Sequence, residues 1–329
     1  MNTTSRPGSL RAWWLAARPK TLSAALVPVV TGATLAFVTS HGEIFIMLHA
    51  RARAFVAALL CALFATLMQV ASNFINDLID FRRGADGNDR LGPERACAQG
   101  WISPRAMTWG IVVVLALAAL TGLGLTAILL CALPIPPLHL LVGLIATGVA
   151  CIAGALLYTT HLSRRAMGDL LVFLFFGLVP VVGTFFALTG KITLSALLLG
   201  LGVGAMVDTL LVVNNIRDID NDRRTGKRTL IVLIGREAGH RLYLLLGLIA
   251  VACAYAAVLF TATLFPTPLW KLGVGLLLFV GFFVGHTLSS RQFTQMPAGR
   301  EMNRMLGITS SNMLRFAMVT VAVLLLLEV

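Results

Sequence analysis

The stretch Ile192–Asp222, ITLSALLLGLGVGAMVDTLLVVNNIRDIDND, decides the fold. From Ile192 to Asn215 it is apolar apart from small hydroxyls, Asp208 and the terminal asparagines, and it is long enough to cross a bilayer as a helix. A helix is required there because hydrocarbon offers no partner for free backbone N–H and C=O groups. Gly200, Gly202 and Gly204 do not weaken that reading, since small residues let neighbouring membrane helices approach closely. The run then turns acidic. Asp218 and Asp222 stand four residues apart on one helix face, with Asn215 a turn below and Asp208 two turns further in.

Eight further apolar runs flank this one, giving nine spans at about 21–40, 54–76, 106–131, 138–160, 169–189, 192–215, 241–263, 267–288 and 308–328. The whole chain is consistent with that count: 58% of its 329 residues are hydrophobic, 12% are charged, and mean hydropathy is +0.88. An all-α, polytopic integral membrane protein follows. No Pro/Ser/Gly linker divides it, so residues 1–329 are expected to form one domain. The basic N-terminal segment (Arg6, Arg11, Arg18, Lys20) before the first run reads as the flank of an uncleaved first helix rather than a secretory signal, because many spans follow. The five cysteines are scattered without C-x-x-C spacing and read as packing residues. The six histidines show no zinc-ligand spacing.

With nine spans, the N-terminus and the loops after the even-numbered spans share one side of the membrane. All Lys and Arg except Arg51, Arg53, Lys191, Lys271 and Arg315 fall there, so that side is expected to be cytoplasmic. The net charge of +12 therefore reads as orientation, with no nucleic-acid partner implied. Most of the acids lie on the same side, and acids contribute little to topology. Their clustering points instead to chemistry in two polar loops, about residues 77–105 and 216–240.

Span two ends in a second such arrangement. Gln69, Asn73, Asn76 and Asp80 recur at helical spacing as a polar stripe, Asp77 flanks it, and Asp86 and Asp89 follow. Carboxylates so placed repel one another unless a cation holds them. Mg2+ suits them: it takes oxygen ligands and is commonly held by one or two carboxylates plus substrate phosphates. Two clusters at one membrane face would grip a diphosphate and offset the charge that develops as its C–O bond breaks. Arginines and lysines interleave with both clusters, and Arg90, Arg95, Lys227 and Arg228 are the first candidates for contact with phosphate or carboxylate oxygens. Asp208, an acid deep in a span, is a functional candidate by position and equally a paired structural group. Asp169 reads as a helix cap or a site residue, and Tyr158 as an interfacial anchor or a site residue.

These residues resemble a known family. Asn76-Asp77-x-x-Asp80 and Asp218-x-x-x-Asp222 are similar to the paired signatures of the intramembrane UbiA-type prenyltransferases. Arg18-Pro19-Lys20-Thr21, the run from Gly84 through Asp86, Asp89, Arg90, Gly92 and Pro93 to Arg95, and Asn214-Asn215-x-Arg217-Asp218 with Gly226-Lys227 resemble the branch that prenylates 1,4-dihydroxy-2-naphthoate in menaquinone synthesis. Tyr158 to Gly177 is also similar. Where the broader family has a third acid, this chain has Gly84, with Asp86 two residues later as its substitute; that pattern matches the naphthoate branch.

The resemblance implies nine helices around a central cavity in a bacterial cytoplasmic membrane, and transfer of a polyprenyl group from its diphosphate to 1,4-dihydroxy-2-naphthoate with loss of CO2. It implies Asn76, Asp80, Asp86, Asp218 and Asp222 as Mg2+ ligands, Asp77, Asp80, Asp218 and Asp222 as catalytic carboxylates, and Lys20, Arg90, Arg95, Arg217, Lys227 and Arg228 as contacts to diphosphate or carboxylate. Tyr158, Asp169 and Asp208 are left as candidates for acceptor or carbocation contact. Other readings fit less well. A cation-coupled transporter would place its acids near the midplane, whereas most of these lie at helix ends. A CDP-alcohol phosphotransferase is expected to carry Gly where this chain has Phe81. The Gly84–Arg95 run argues against 4-hydroxybenzoate, haem or chlorophyll precursors as acceptor.

Overall fold

The computed structural model describes residues 8–40, 51–84, 91–132, 136–160, 162, 165–297 and 299–328. Among these, nine helical segments are long and apolar enough to cross a membrane, and no strand is formed. A short helix α1 (Ser9–Ala17) precedes the first span, α2 (Leu22–Thr39). The remaining spans are α3 (Arg51–Arg82), α4 (Pro104–Ala132), α5 (Pro137–Thr160), α6 (Gly168–Thr189) and α7 (Leu194–Arg217). After two short helices, α8 (Ile219–Arg224) and α9 (Leu230–Ile234), come α10 (Arg236–Ala262), α11 (Leu269–Gln295) and α12 (Met302–Glu328).

Several spans run past the apolar segments that predict them. α3 has 32 residues, about 48 Å of helix, against a hydrocarbon core of about 30 Å. Its polar end therefore projects from the apolar layer while still helical, carrying Asn76, Asp77 and Asp80 in fixed register. α1 was not expected as a separate helix. It buries Ala12 and Ala16 and exposes Leu10, Trp14 and Leu15, a face suited to the lipid interface. Arg18 takes a left-handed conformation (φ 53°) and Pro19 opens a single 3-10 turn, so the chain bends sharply into α2.

α7 is the central helix: 72% of its apolar window is enclosed by protein, against 11% for the peripheral α5. Its glycines make that position accessible. Gly204 backs onto Gly177 and Phe173 of α6, where residues Leu174–Leu178 form a π turn. A Cβ on Gly177 would drive into the carbonyl oxygen of Gly200 and lie 2.7 Å from the Cα of Gly204. Neither neighbour is a flexible side-chain end, so the helices must separate. Gly177→Ala is accordingly expected to destabilise the protein by about 2–3 kcal/mol, read as a lower unfolding temperature in detergent.

Away from the acidic motifs, several buried polar groups of α10–α12 pair with one another. Tyr243 Oη pairs with Thr309 Oγ1 at 3.2 Å, His286 Nε2 meets the Tyr243 carbonyl at 3.1 Å, and Asn312 Nδ2 donates to Ser289 Oγ at 2.9 Å.

Candidate active site

The polar stripe of α3 divides into two functions. Its inner residues brace the α1–α2 elbow: Gln69 Nε2 donates to Thr21 Oγ1 at 3.2 Å, and Asn73 Nδ2 donates to Thr21 Oγ1 at 3.1 Å and to the Ala17 carbonyl at 2.9 Å. Thr21 Oγ1 in turn donates to the Arg18 carbonyl at 2.9 Å. The Arg-Pro-Lys-Thr segment is thus clamped to α3 through its threonine, while Lys20 is exposed. The outer residues serve the loop after α3. Asp77 is 2% exposed, and its two carboxylate oxygens accept the backbone N–H groups of Ala96 at 2.9 Å and Cys97 at 3.0 Å. Asp77, expected among the catalytic carboxylates, is thereby turned to holding the loop. Asp80, one turn after the half-buried Asn76, pairs with the buried Arg95 at 2.8 Å. Asp86, Asp89 and Arg90 lie outside the described residues.

The second motif is built at the end of α7. Arg217 clasps Asp218 with two parallel bonds, Nε to Oδ1 at 2.8 Å and Nη2 to Oδ2 at 2.7 Å. Its remaining Nη1 donates to Asn303 Oδ1 at 2.8 Å, and Asn303 Nδ2 donates to the Leu91 carbonyl at 2.9 Å. One asparagine at the start of α12 therefore ties the second motif to the loop that follows the first. Sequence reading missed Asn303; a lone asparagine beyond the matched motifs carries no signal until the fold brings α12 to this end. Asn303→Ala is expected to lower turnover about tenfold or more by loosening this link, as loss of supporting contacts behind a metal site does; steady-state kinetics on the purified protein would read it.

Asp222 begins the next turn. It is buried, its Oδ2 has no hydrogen-bond donor, and the Lys227 ammonium lies 3.4 Å away. Burial pushes its carboxyl above the usual range, while Lys227 pulls it back. Arg228 is exposed, and its carbonyl accepts the Ala166 N–H at 2.6 Å, joining the loop before α6 to the loop before α9. Thr229 caps α9 by accepting from Val232 N.

Between these loops lies a small polar pocket lined by Tyr158, Gly168, Asp169, Leu211, Asn215, Lys227 and Thr229. Lys227, the partner of Asp222, joins Tyr158 in lining this pocket, and Asn303 links the second motif to the loop that carries Arg95, the partner of Asp80.

The donor chemistry fits a hard divalent cation: Asn76, Asp80, Asp218 and Asp222 offer oxygen ligands, and the buried Asp222 Oδ2 meets the Lys227 ammonium at 3.4 Å. Among the described residues no three His, Cys, Asp or Glu side chains converge on one point. A cation here would be completed by substrate oxygens, which is how Mg2+ is usually held.

A profile of the UbiA prenyltransferase family matches residues 25–306. The chain belongs to this family. The match runs into α12, past the motifs from which the family resemblance is legible. Among curated members, the 1,4-dihydroxy-2-naphthoate octaprenyltransferase of Haemophilus influenzae is 32% identical over 280 residues, covering 84% of this chain and 86% of that protein. The protein of the same name from Mycobacterium tuberculosis is 36% identical over 258 residues, covering 78% and 80%. A solved UbiA homolog from Archaeoglobus fulgidus bound to DMAPP and Mg2+ shares the fold at a TM-score of 0.60 and 16% identity, covering 95% of this chain and 98% of that one. As a family member this chain is a multi-pass membrane prenyltransferase, in agreement with the nine spans.

Proposed function

We propose that the protein transfers a polyprenyl group from its diphosphate to 1,4-dihydroxy-2-naphthoate, releasing diphosphate and CO2 and giving demethylmenaquinone in its quinol form. The observation that supports the transferase chemistry is that each carboxylate motif is paired with basic side chains, Arg95 on Asp80, Arg217 on Asp218 and Lys227 on Asp222, and that Asn303 ties Arg217 to the loop after the first motif. The acceptor rests on the naphthoate octaprenyltransferases that are 30–36% identical over most of this chain.

In this reading Asn76, Asp80, Asp218 and Asp222 hold Mg2+, with Asp86 as a further ligand on the loop. When bound, Mg2+ neutralises the diphosphate and so eases its departure. Arg95 and Lys227 are held by carboxylates of the two motifs and would be placed to meet phosphate oxygens, with Lys20, Arg90 and Arg228 as further candidates for that contact. Arg217, fixed by Asp218 and Asn303, orients the second motif. Asp77 keeps the first-motif loop folded over the site. The polyprenyl tail lies among the apolar spans, each buried CH₂ contributing about 0.8 kcal/mol. Both motifs face the cytoplasm, since the positive charge of the loops lies on their side.

The test is turnover in membranes containing the protein, with 1,4-dihydroxy-2-naphthoate, a polyprenyl diphosphate and Mg2+. Prenylated naphthoquinol and CO2 in equal amounts, both abolished by EDTA and restored by Mg2+, are expected. Product from 4-hydroxybenzoate but none from the naphthoate would overturn the acceptor.

A further inference from the structure

Two buried acids have no place in the diphosphate site just described. Asp208 is 1% exposed and Asp169 is 9% exposed, and each keeps an Oδ1 atom buried without a hydrogen-bond partner. They come from different spans, α7 and α6, which pack closely where Gly204 meets Phe173; Asp208 and Asp169 each lie four residues, one helical turn, from that contact, on the side away from the short α6–α7 connection. Asp169 lines the small pocket together with Tyr158, Asn215 and Lys227. Asp208, Leu211 and Asn215 follow at i, i+3 and i+7 on one face of α7, which continues outward to Asp218 and Asp222. Asp208 is ten residues before Asp218, about 15 Å deeper along the helix.

Folding alone does not account for the pair. Two carboxylates in a low-dielectric interior oppose each other's ionisation, and a buried polar atom left without a partner destabilises the fold. Lys227 and Arg217 pair with Asp222 and Asp218 instead. A pair of adjacent carboxyl groups can hold one proton between its members. It can therefore take up a second proton and give it back without a net change in the protein.

We propose that Asp169, backed by Asp208, is the proton-transfer site for a ring hydroxyl of the acceptor. The proposal rests on the hydroxynaphthoate reading above. As ring C2 bonds to C1 of the prenyl group and the C1–O bond breaks with its electrons leaving on diphosphate, the O–H bond of the ring 1-hydroxyl supplies electrons to become a carbonyl. Its proton passes to Asp169. The resulting 2-carboxylate, now beta to that carbonyl, leaves as CO2; its bonding electrons form the ring double bond, and the carbonyl oxygen takes the proton back as a hydroxyl. Acceptor carboxylate and prenyl diphosphate thus give quinol, CO2 and diphosphate with charge conserved. Asp169 is the catalytic residue, and Asp208 is a positioning residue that keeps the pair singly charged.

The test uses Asp169→Asn and Asp208→Asn, near-isosteric changes, in the full-length protein with the naphthoate, polyprenyl diphosphate and Mg2+. Both the prenylated ring product and the prenyl alcohol formed when water captures the donor are measured. Capture by the ring is expected to fall about a hundredfold or more, so that the ratio of ring product to prenyl alcohol falls with it. The two products falling in step, at the wild-type ratio, would overturn the proposal, because it would place the acids in donor binding or folding. Wild-type protein supplies a check that needs no variant. An acceptor methylated on the 1-hydroxyl is expected to compete with the naphthoate but to yield no prenylated product; prenylation at the parent rate would also overturn it. If wild-type protein prenylates a different hydroxyarene and not the naphthoate, the acceptor reading fails while the same product ratio on that substrate still tests Asp169 and Asp208.

Discussion

Asp218→Ala lowers prenyl transfer by about 10²- to 10³-fold, the range lost when one preorganised electrostatic contact to a developing anion is removed. The effect has two parts. The carboxylate itself is lost from the second motif, and Arg217 loses a two-bond partner at 2.8 and 2.7 Å while remaining buried. Leaving a buried guanidinium without its acid costs about 3–5 kcal/mol. The variant is therefore expected to lose stability as well as turnover, and Arg217 becomes free to close on any anion in the site. Asp80→Ala is the matching change on the first motif. It is expected to lose activity to a similar extent, with steady-state kinetics at saturating Mg2+ reading both.

Asp77→Ala separates scaffold from chemistry three residues away. It removes the acceptor for the Ala96 and Cys97 N–H groups, both buried, and hydrogen bonds to a charged group contribute about 1.5–3 kcal/mol each. A loss of about 3–4 kcal/mol is expected, a large share of the 5–15 kcal/mol by which proteins are typically stable. Activity falls with it because the loop bearing Arg95 detaches. Thermal unfolding in detergent reads this directly. Excess Mg2+ should not restore Asp77→Ala, since the fault lies in the backbone the side chain holds.

The reading of the sequence carried the architecture because a bilayer leaves few choices: apolar length sets the spans. It placed both motifs at one end by counting spans. It did not find how far the helices continue. Hydropathy falls away at about residue 76, yet α3 runs to Arg82 as an amphipathic extension, because its backbone hydrogen bonds do not depend on the lipid. It also could not separate Asp77 from Asp80. Adjacent in pattern, they diverge only when the loop at Ala96 and Cys97 folds back over Asp77. Gln69 and Asn73 shared the stripe of Asn76 and Asp80, but their partners lie on the α1–α2 elbow, far away in sequence. Asn303 was invisible for the same reason: its partners, Arg217 and Leu91, belong to two other segments. Local spacing reveals which residues share a helix face, and the chain's return path decides what that face meets.

The central claim is that the two motifs act as one site on a metal and a diphosphate. The most direct measurement is binding of Mn2+, as a paramagnetic substitute for Mg2+, to the purified protein with and without a non-hydrolysable prenyl diphosphate analogue, followed by electron paramagnetic resonance. Tight Mn2+ binding that requires the analogue, and that is lost in both Asp80→Ala and Asp218→Ala, is the predicted result. Mn2+ and analogue bound as tightly in either variant as in the wild type would contradict a shared site.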